Sequence, residues 1–428
     1  MMRLELDNVG KISFANIELK GMTVIAGENN TGKSTIGKML FCVFHAFYKI
    51  EEQIREECVK SVIRVLSSYY SETTNRLTRR FDIRSLAMHI VEHKEYFLAD
   101  RHLIVKEIEE FFINQDHNFR RYIEQESIEK LVDRIYMFLK LEESEVQKII
   151  LRKRLEAEFA MKVGHLNNVD KKASVKLKIK GDSIDFVVVK NEDIEISNFM
   201  NLNKEIIYMD DPFVLDDLGG LQWQILFNEY EHRQDLLRKL ANDKNAEEFS
   251  VIDELVVQKK LERILEKMQG ICDGSIMSDD RNAFVYKTDI LNGNLEMMNL
   301  STGLKSFVIL RRLLQNGKID ENGIIILDEP EIHLHPEWQL KFAEIIVLIQ
   351  KEFNVNILLN THSPYFLNAI EVYSQKYNIG DLCKFYLADE NNGITRIVDV
   401  TNETEKIYAK LARPLQELEN TEYGNTGV

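Results

Sequence analysis

Two short stretches carry residues that can do phosphate chemistry, and they lie far apart in the chain. The first, "GENNTGKS" (Gly27–Ser34), fits GxxxxGK[ST] at Gly27, Gly32, Lys33 and Ser34. Glycines let the backbone wrap until successive N–H groups point at phosphate oxygens. Lys33 would reach the β and γ phosphates, and the Ser34 hydroxyl would bind Mg²⁺. Asn29, Asn30, Thr31 and Thr35 share the loop and are ATP-binding candidates with it. Asn30 stands where many such loops carry another glycine, and asparagine tolerates positive φ best among the other residues.

The second stretch is "GIIILDEP" (Gly323–Pro330), an apolar run ending in two acids. Such a run predicts a parallel strand buried on both faces. Asp328 at its end would hold Mg²⁺ through water, and Glu329 would polarise the attacking water. "VNILLNTHSPYFLNAI" (Val355–Ile370) predicts a further strand, then His362, then a helix capped by Ser363 and begun by Pro364. His362 would sense the γ-phosphate and orient the water.

The elements around the loop agree with it. "MTVIAG" predicts a strand before it. After it, Ile36, Met39, Leu40, Val43, Phe44 and Phe47 recur at helical spacing. That helix aims its N-terminus at the phosphates. Upstream of the acidic strand, "NLSTGLKSF" (Asn299–Phe307) offers a second helix start. Ser301 can cap it, and Gly303 leaves its first turn open for an anion. One chain with two phosphate-binding helix ends makes sense if the second completes the site of another subunit.

Together these residues resemble the ABC-class ATPases, in the branch shared by SMC-type, RecF-like and OLD-type proteins. "GENNTGKS" is similar to the Walker A loop and "IIILDE" to Walker B. "LSTGLKS" resembles the LSGGQ signature, departing from it at Thr302 and Leu304. His362 resembles the switch histidine. "DEPEIHLHP" resembles the OLD-type branch, with His335 in place of the D-loop aspartate. The resemblance implies an α/β P-loop NTPase of the ABC ATPase type, interrupted by a helical insertion and a lateral α+β segment. It also implies Mg²⁺ as cofactor and a head-to-tail homodimer, or a higher oligomer of dimers. Two ATPs would be sandwiched there, with Ser301, Gly303 and Lys305 acting in trans. Within that class the sequence is similar to ATPase subunits of bacterial anti-phage systems of the Septu or PARIS type. The expectation is an ATP-driven regulator of a separate effector, a nuclease or toxin. The alternative is a RecF- or SMC-like clamp that binds DNA directly.

The gap between the two halves of the site divides by pattern. Residues 1–47 and 285–400 are expected to form the ATPase core. Residues 48–170 alternate charged and apolar residues at helical spacing and predict a helical insertion. Residues 171–284 predict a lateral hairpin around Gly181-Asp182 and two helices, and 401–428 a tail. The pair His333 and His335 has no nearby cysteine and is a weak metal signal.

Composition bounds the rest. The 428 residues are 44% hydrophobic, as in a globular protein. The formal net charge is −15, so any DNA contact must come from local basic patches. Candidates are Arg76–Arg84, Leu151–Arg154 and Lys171–Lys180. The four cysteines lack CxxC spacing, the start has no apolar leader, and no apolar run reaches ~18 residues. A cytoplasmic protein is expected.

Overall fold

The computed structural model describes residues 2–74, 82–115, 125–160, 162–164, 171–189, 193–218, 231–241, 251–278, 284–288 and 294–424. The chain opens with an antiparallel pair, β1 (Met2–Val9) and β2 (Ile12–Leu19). The fully buried β3 (Met22–Ala26) leads through the phosphate loop into α1 (Lys33–Phe47). The apolar residues whose spacing predicts α1 are all buried.

Two compact units follow from the contacts. One is Lys49–Ile150; the other combines Met1–Tyr48 with Leu151–Val428. The first holds α2 (Ile50–Thr74), α3 (Ile83–Glu92), α4 (Lys94–Ala99), α5 (His102–Gln115), α6 (Gln125–Lys140) and the start of α7 (Glu143–Phe159). Val62, Leu66, Ile90, Ile108, Phe112, Val132 and Ile135 share its core. This unit is shorter than the expected 48–170. The reason lies in α7, whose later residues Arg154 and Glu158 pair with Glu231 and His232 in the second unit, to which all four belong.

The second unit continues with β4 (Ala173–Ile179), β5 (Asp182–Val188), β6 (Ile194–Asn198), β7 (Ile206–Met209), α8 (Val214–Leu218), α9 (Glu231–Ala241) and α10 (Val251–Met268). Then come β8 (Ser275–Ser278), β9 (Phe284–Lys287), β10 (Asn294–Glu296) and α11 (Thr302–Gln315). They are followed by β11 (Ile324–Asp328), α12 (Pro336–Phe353), β12 (Asn356–Thr361), α13 (Pro364–Lys376), β13 (Cys383–Asn391), β14 (Ile394–Asp399) and α14 (Glu405–Gly424).

An 11-stranded sheet organises this unit, in the order β6-β5-β4-β1-β2-β14-β13-β3-β12-β11-β7. The strands β13, β3, β12, β11 and β7 run parallel. The hairpin expected to be lateral is instead part of this sheet, because β4 takes the antiparallel edge of β1. Its turn falls on Lys180-Gly181, one residue earlier than expected, since Ile179 pairs with Asp182. The segment's helices are not lateral either. Leu236, Leu237, Leu240, Ile264 and Met268 join one core with Phe307, Leu313, Phe342 and Ile346. Ile407 of α14 is fully buried in the same core, so the expected tail packs as well. β9 pairs with β10, and residues 289–293 between them lie outside those described. Among the described residues no helix is long and apolar enough to cross a membrane.

Candidate nucleotide site

Parallel strands in register bring their C-terminal ends to one edge. Ala26 of β3 pairs with Thr361 of β12, and Asn360 with Asp328 of β11. Ligands of open α/β sheets bind beyond such ends. Gly27, Asp328 and His362 are therefore neighbours although the sequence scatters them.

The phosphate loop is held from several sides. Gly27 N–H donates to the Thr361 carbonyl at 3.4 Å. The Thr31 hydroxyl donates to the Glu28 carbonyl at 2.9 Å, and the Lys11 ammonium to the Asn30 carbonyl at 3.0 Å. Asn30 has φ 64° and Gly32 φ 85°, so the asparagine adopts the left-handed conformation that the loop needs. Asn29 is exposed beside them. Lys33 opens α1 and is 4% exposed; its ammonium donates to the carbonyls of Gly27 at 3.0 Å and Glu28 at 2.8 Å. Ser34 follows, exposed, and Thr35 N–H donates to the Gly32 carbonyl at 3.1 Å.

Opposite the loop stands Asp328, nearly buried. It accepts from the Tyr208 hydroxyl at 3.0 Å, from the Asn360 amide at 2.9 Å, and from the Ser34 hydroxyl. Burial pushes its carboxyl above the usual range, against the bonds from Asn360, Ser34 and Tyr208. A buried acid bonded to a serine hydroxyl supplies two hard oxygen donors, which fits Mg²⁺. The neighbouring Glu329 adopts φ 50°, and its N–H donates to the Asn360 carbonyl at 2.9 Å. Its carboxylate lies 3.5 Å from the Lys33 ammonium and 3.3 Å from His362 Nδ1. Glu331 differs from Glu329. It is buried and accepts from the Thr361 hydroxyl, and burial pushes its carboxyl up.

The signature-like segment departs from expectation in three ways. Ser301 sits at the N-cap position of α11 and is exposed, but its side chain makes no capping bond. Gly303 is required by packing. A Cβ there would meet the His333 carbonyl at 3.0 Å and the Trp338 ring at 3.3 Å, so the glycine lets α11 approach the turn after β11. Lys305, expected to act in trans, is 2% exposed. Its ammonium pairs with Asp216 and lies 4.9 Å over the Phe213 ring, so its charge is committed within its own chain. His335 is the N-cap of α12 and accepts from Glu337 N–H at 3.4 Å, while His333 packs edge-on to Phe213.

Sequence reading missed Tyr208 and Asn360. Both contact Asp328 from neighbouring strands. A polar residue inside an otherwise apolar strand was the available signal.

The family model of the AAA ATPase domain matches residues 1–367. The chain belongs to the AAA ATPase domain family. This AAA ATPase is 28% identical over 186 residues to the Septu protein PtuA of Bacillus thuringiensis, covering 40% of this chain and 44% of that one. It is 30% identical over 149 residues to the retron Vc95 probable ATPase of Vibrio cholerae serotype O1 biovar El Tor, covering 32% and 27%. With the retron Ec83 probable ATPase of Escherichia coli it shares 36% over 91 residues, covering 19% and 16%. The matches span less than half the length of each of these relatives. Among solved structures, an SMC head bound to the C-winged helix domain of ScpA aligns over 94% of the AAA ATPase and 98% of its own chain. Its identity is 12% and its TM-score 0.41.

Proposed function

We propose that this AAA ATPase binds and hydrolyses Mg–ATP as half of a head-to-tail dimer and uses that cycle to control a separate effector in anti-phage defence. One observation carries the reading. Lys33, Glu329 and His362 meet within 3.5 Å beside the Asp328–Ser34 pair, while Ser301 stands exposed at a helix start with no capping bond from its own side chain. Lys33 binds the β and γ phosphates by charge. Ser34 and Asp328 would hold Mg²⁺, which would neutralise phosphate charge. Glu329 takes the proton of the attacking water, and His362, next to it, orients that water. Ser301 and the Gly303 turn meet the γ-phosphate of the partner subunit. The control of an effector is supported by the likeness to the Septu protein and the retron ATPases.

The alternative, direct DNA binding, finds little support in the basic patches. Arg154 pairs with Glu231. Lys172, Lys176 and Lys178 pair with Glu195, Asp185 and Glu5. Residues 75–81, most of the Arg76–Arg84 patch, lie outside those described.

The test follows phosphate release and molecular mass together, with ATP and Mg²⁺. Hydrolysis with a rise in mass that reverses as ATP is consumed is expected. Hydrolysis at constant monomer mass would remove the dimer from the reading. For the effector, phage infection of cells carrying the protein with its genomic neighbours, and of cells carrying the Lys33→Ala form, should give protection only in the first.

A further inference from the structure

The buried polar groups behind the nucleotide site converge on one aromatic ring. His232, at the start of α9, is fully buried. Its Nδ1 lies 2.7 Å from Glu158 and its Nε2 3.0 Å from Asp210. Ionised carboxylates only accept, so each ring nitrogen directs a proton at its acid. Burial opposes charge on this ring, yet the two acids outweigh it and hold the imidazole above its ordinary pKa. Glu158 also accepts from the His232 backbone N–H at 2.9 Å. The ring is thus fixed at both nitrogens, and the residue at its backbone as well.

That ring stacks on Tyr208, with centroids 4.5 Å apart and planes at 26°. Phe41 of α1 closes on both rings. Tyr208 projects from β7 toward α1, where Gly37 leaves room for it. A Cβ at Gly37 would meet the phenol oxygen at 3.3 Å and Ile326 at 3.0 Å. Its hydroxyl faces a carboxylate oxygen, which only accepts, so the phenol is the donor. It donates to one oxygen of Asp328 while Asn360 donates to the other.

We propose that Tyr208 is a positioning residue for the divalent cation: its hydroxyl sets the rotation of the Asp328 carboxylate, and His232, clamped between Glu158 and Asp210, fixes the Tyr208 ring. The inference rests on the Mg–ATP reading above. A carboxylate held on both oxygens needs no ordering when the cation arrives, and partners of this kind typically change metal affinity by roughly 10–100-fold. Without Tyr208, Asn360 would be the one donor left from the neighbouring strands, with Ser34 on the side of the cation.

Tyr208→Phe removes a single oxygen and keeps the ring and its stacking. Calorimetry with a slowly hydrolysed ATP analogue, in EDTA and across a Mg²⁺ series, separates nucleotide binding from cation binding. The variant should need about tenfold more Mg²⁺ for half of its affinity gain, with the EDTA value unchanged. His232→Gln should shift the Mg²⁺ series in the same direction. A wild-type Mg²⁺ series in Tyr208→Phe would overturn the inference. A shift in Tyr208→Phe without one in a folded His232→Gln would remove His232 from it. If the wild-type protein itself gains no affinity from Mg²⁺, the Mg–ATP reading has failed, and the result is distinct from both.

Discussion

The Glu329 carboxylate lies 3.5 Å from the Lys33 ammonium. The proposed base and the proposed phosphate ligand are therefore partners of each other. Lys33 also donates to two carbonyls of its own loop. A γ-phosphate that draws the ammonium to itself would loosen its hold on Glu329, and His362 at 3.3 Å would become the remaining partner. Binding and activation of the base are then one movement of one side chain.

Glu329→Gln keeps the size of the side chain and loses the base. ATP affinity should survive while turnover falls by about 100-fold or more. Phosphate release and molecular mass, measured with ATP and Mg²⁺, should show a slow enzyme that accumulates as the larger species. Wild-type turnover would take Glu329 out of the mechanism. Glu331 is a poor substitute, being buried and bonded to Thr361.

Lys33→Ala removes the charge facing the phosphates and frees two carbonyls that it bonds. Calorimetry should detect no ATP binding at concentrations that saturate the wild-type protein. Undiminished affinity would refute the phosphate-loop assignment.

Ser301→Arg places bulk and charge at an exposed helix start. A single subunit should still bind ATP, but ATP should no longer raise the molecular mass. If ATP enlarges this variant as it does the wild-type protein, the composite site is not built from Ser301.

His45 gives a pH prediction. Burial, and then the charge of Arg154, lowers its pKa from 6.5 to about 4. In the unfolded chain it regains the higher value and binds a proton first as pH falls. Its contribution to stability is therefore present above pH 6.5 and is lost progressively between 6.5 and 4. Between pH 6.5 and 4.5 the wild-type unfolding midpoint should fall by roughly 2–4 °C more than that of His45→Gln. Equal slopes would show that His45 does not titrate this way.

The chemistry-bearing motifs were legible because each is local. The loop from Gly27 to Thr35, the acids at the end of β11 and His362 after β12 each announce themselves by strand–turn–helix spacing. What crosses elements was not legible. Lys305 reads as a residue acting in trans, and only the position of Asp216 explains its burial. Tyr208 reads as one more β-former, and its task depends on β7 lying beside β11. The hairpin β4–β5 was found by its alternation, but its partner β1 sits at the other end of the sequence, and no periodicity reports that pairing. The boundary near Ile150 fell inside a helix, where composition does not change.

Glu329 is held at φ 50°, a conformation that costs a long L side chain roughly 1–2 kcal/mol and a glycine almost nothing. Folding and turnover therefore rank the residues at this position in opposite orders. Glycine or asparagine there would relieve the backbone and silence the proposed reaction. Laboratory selection for heat resistance alone should discard this carboxylate early, and selection for ATP turnover should restore it.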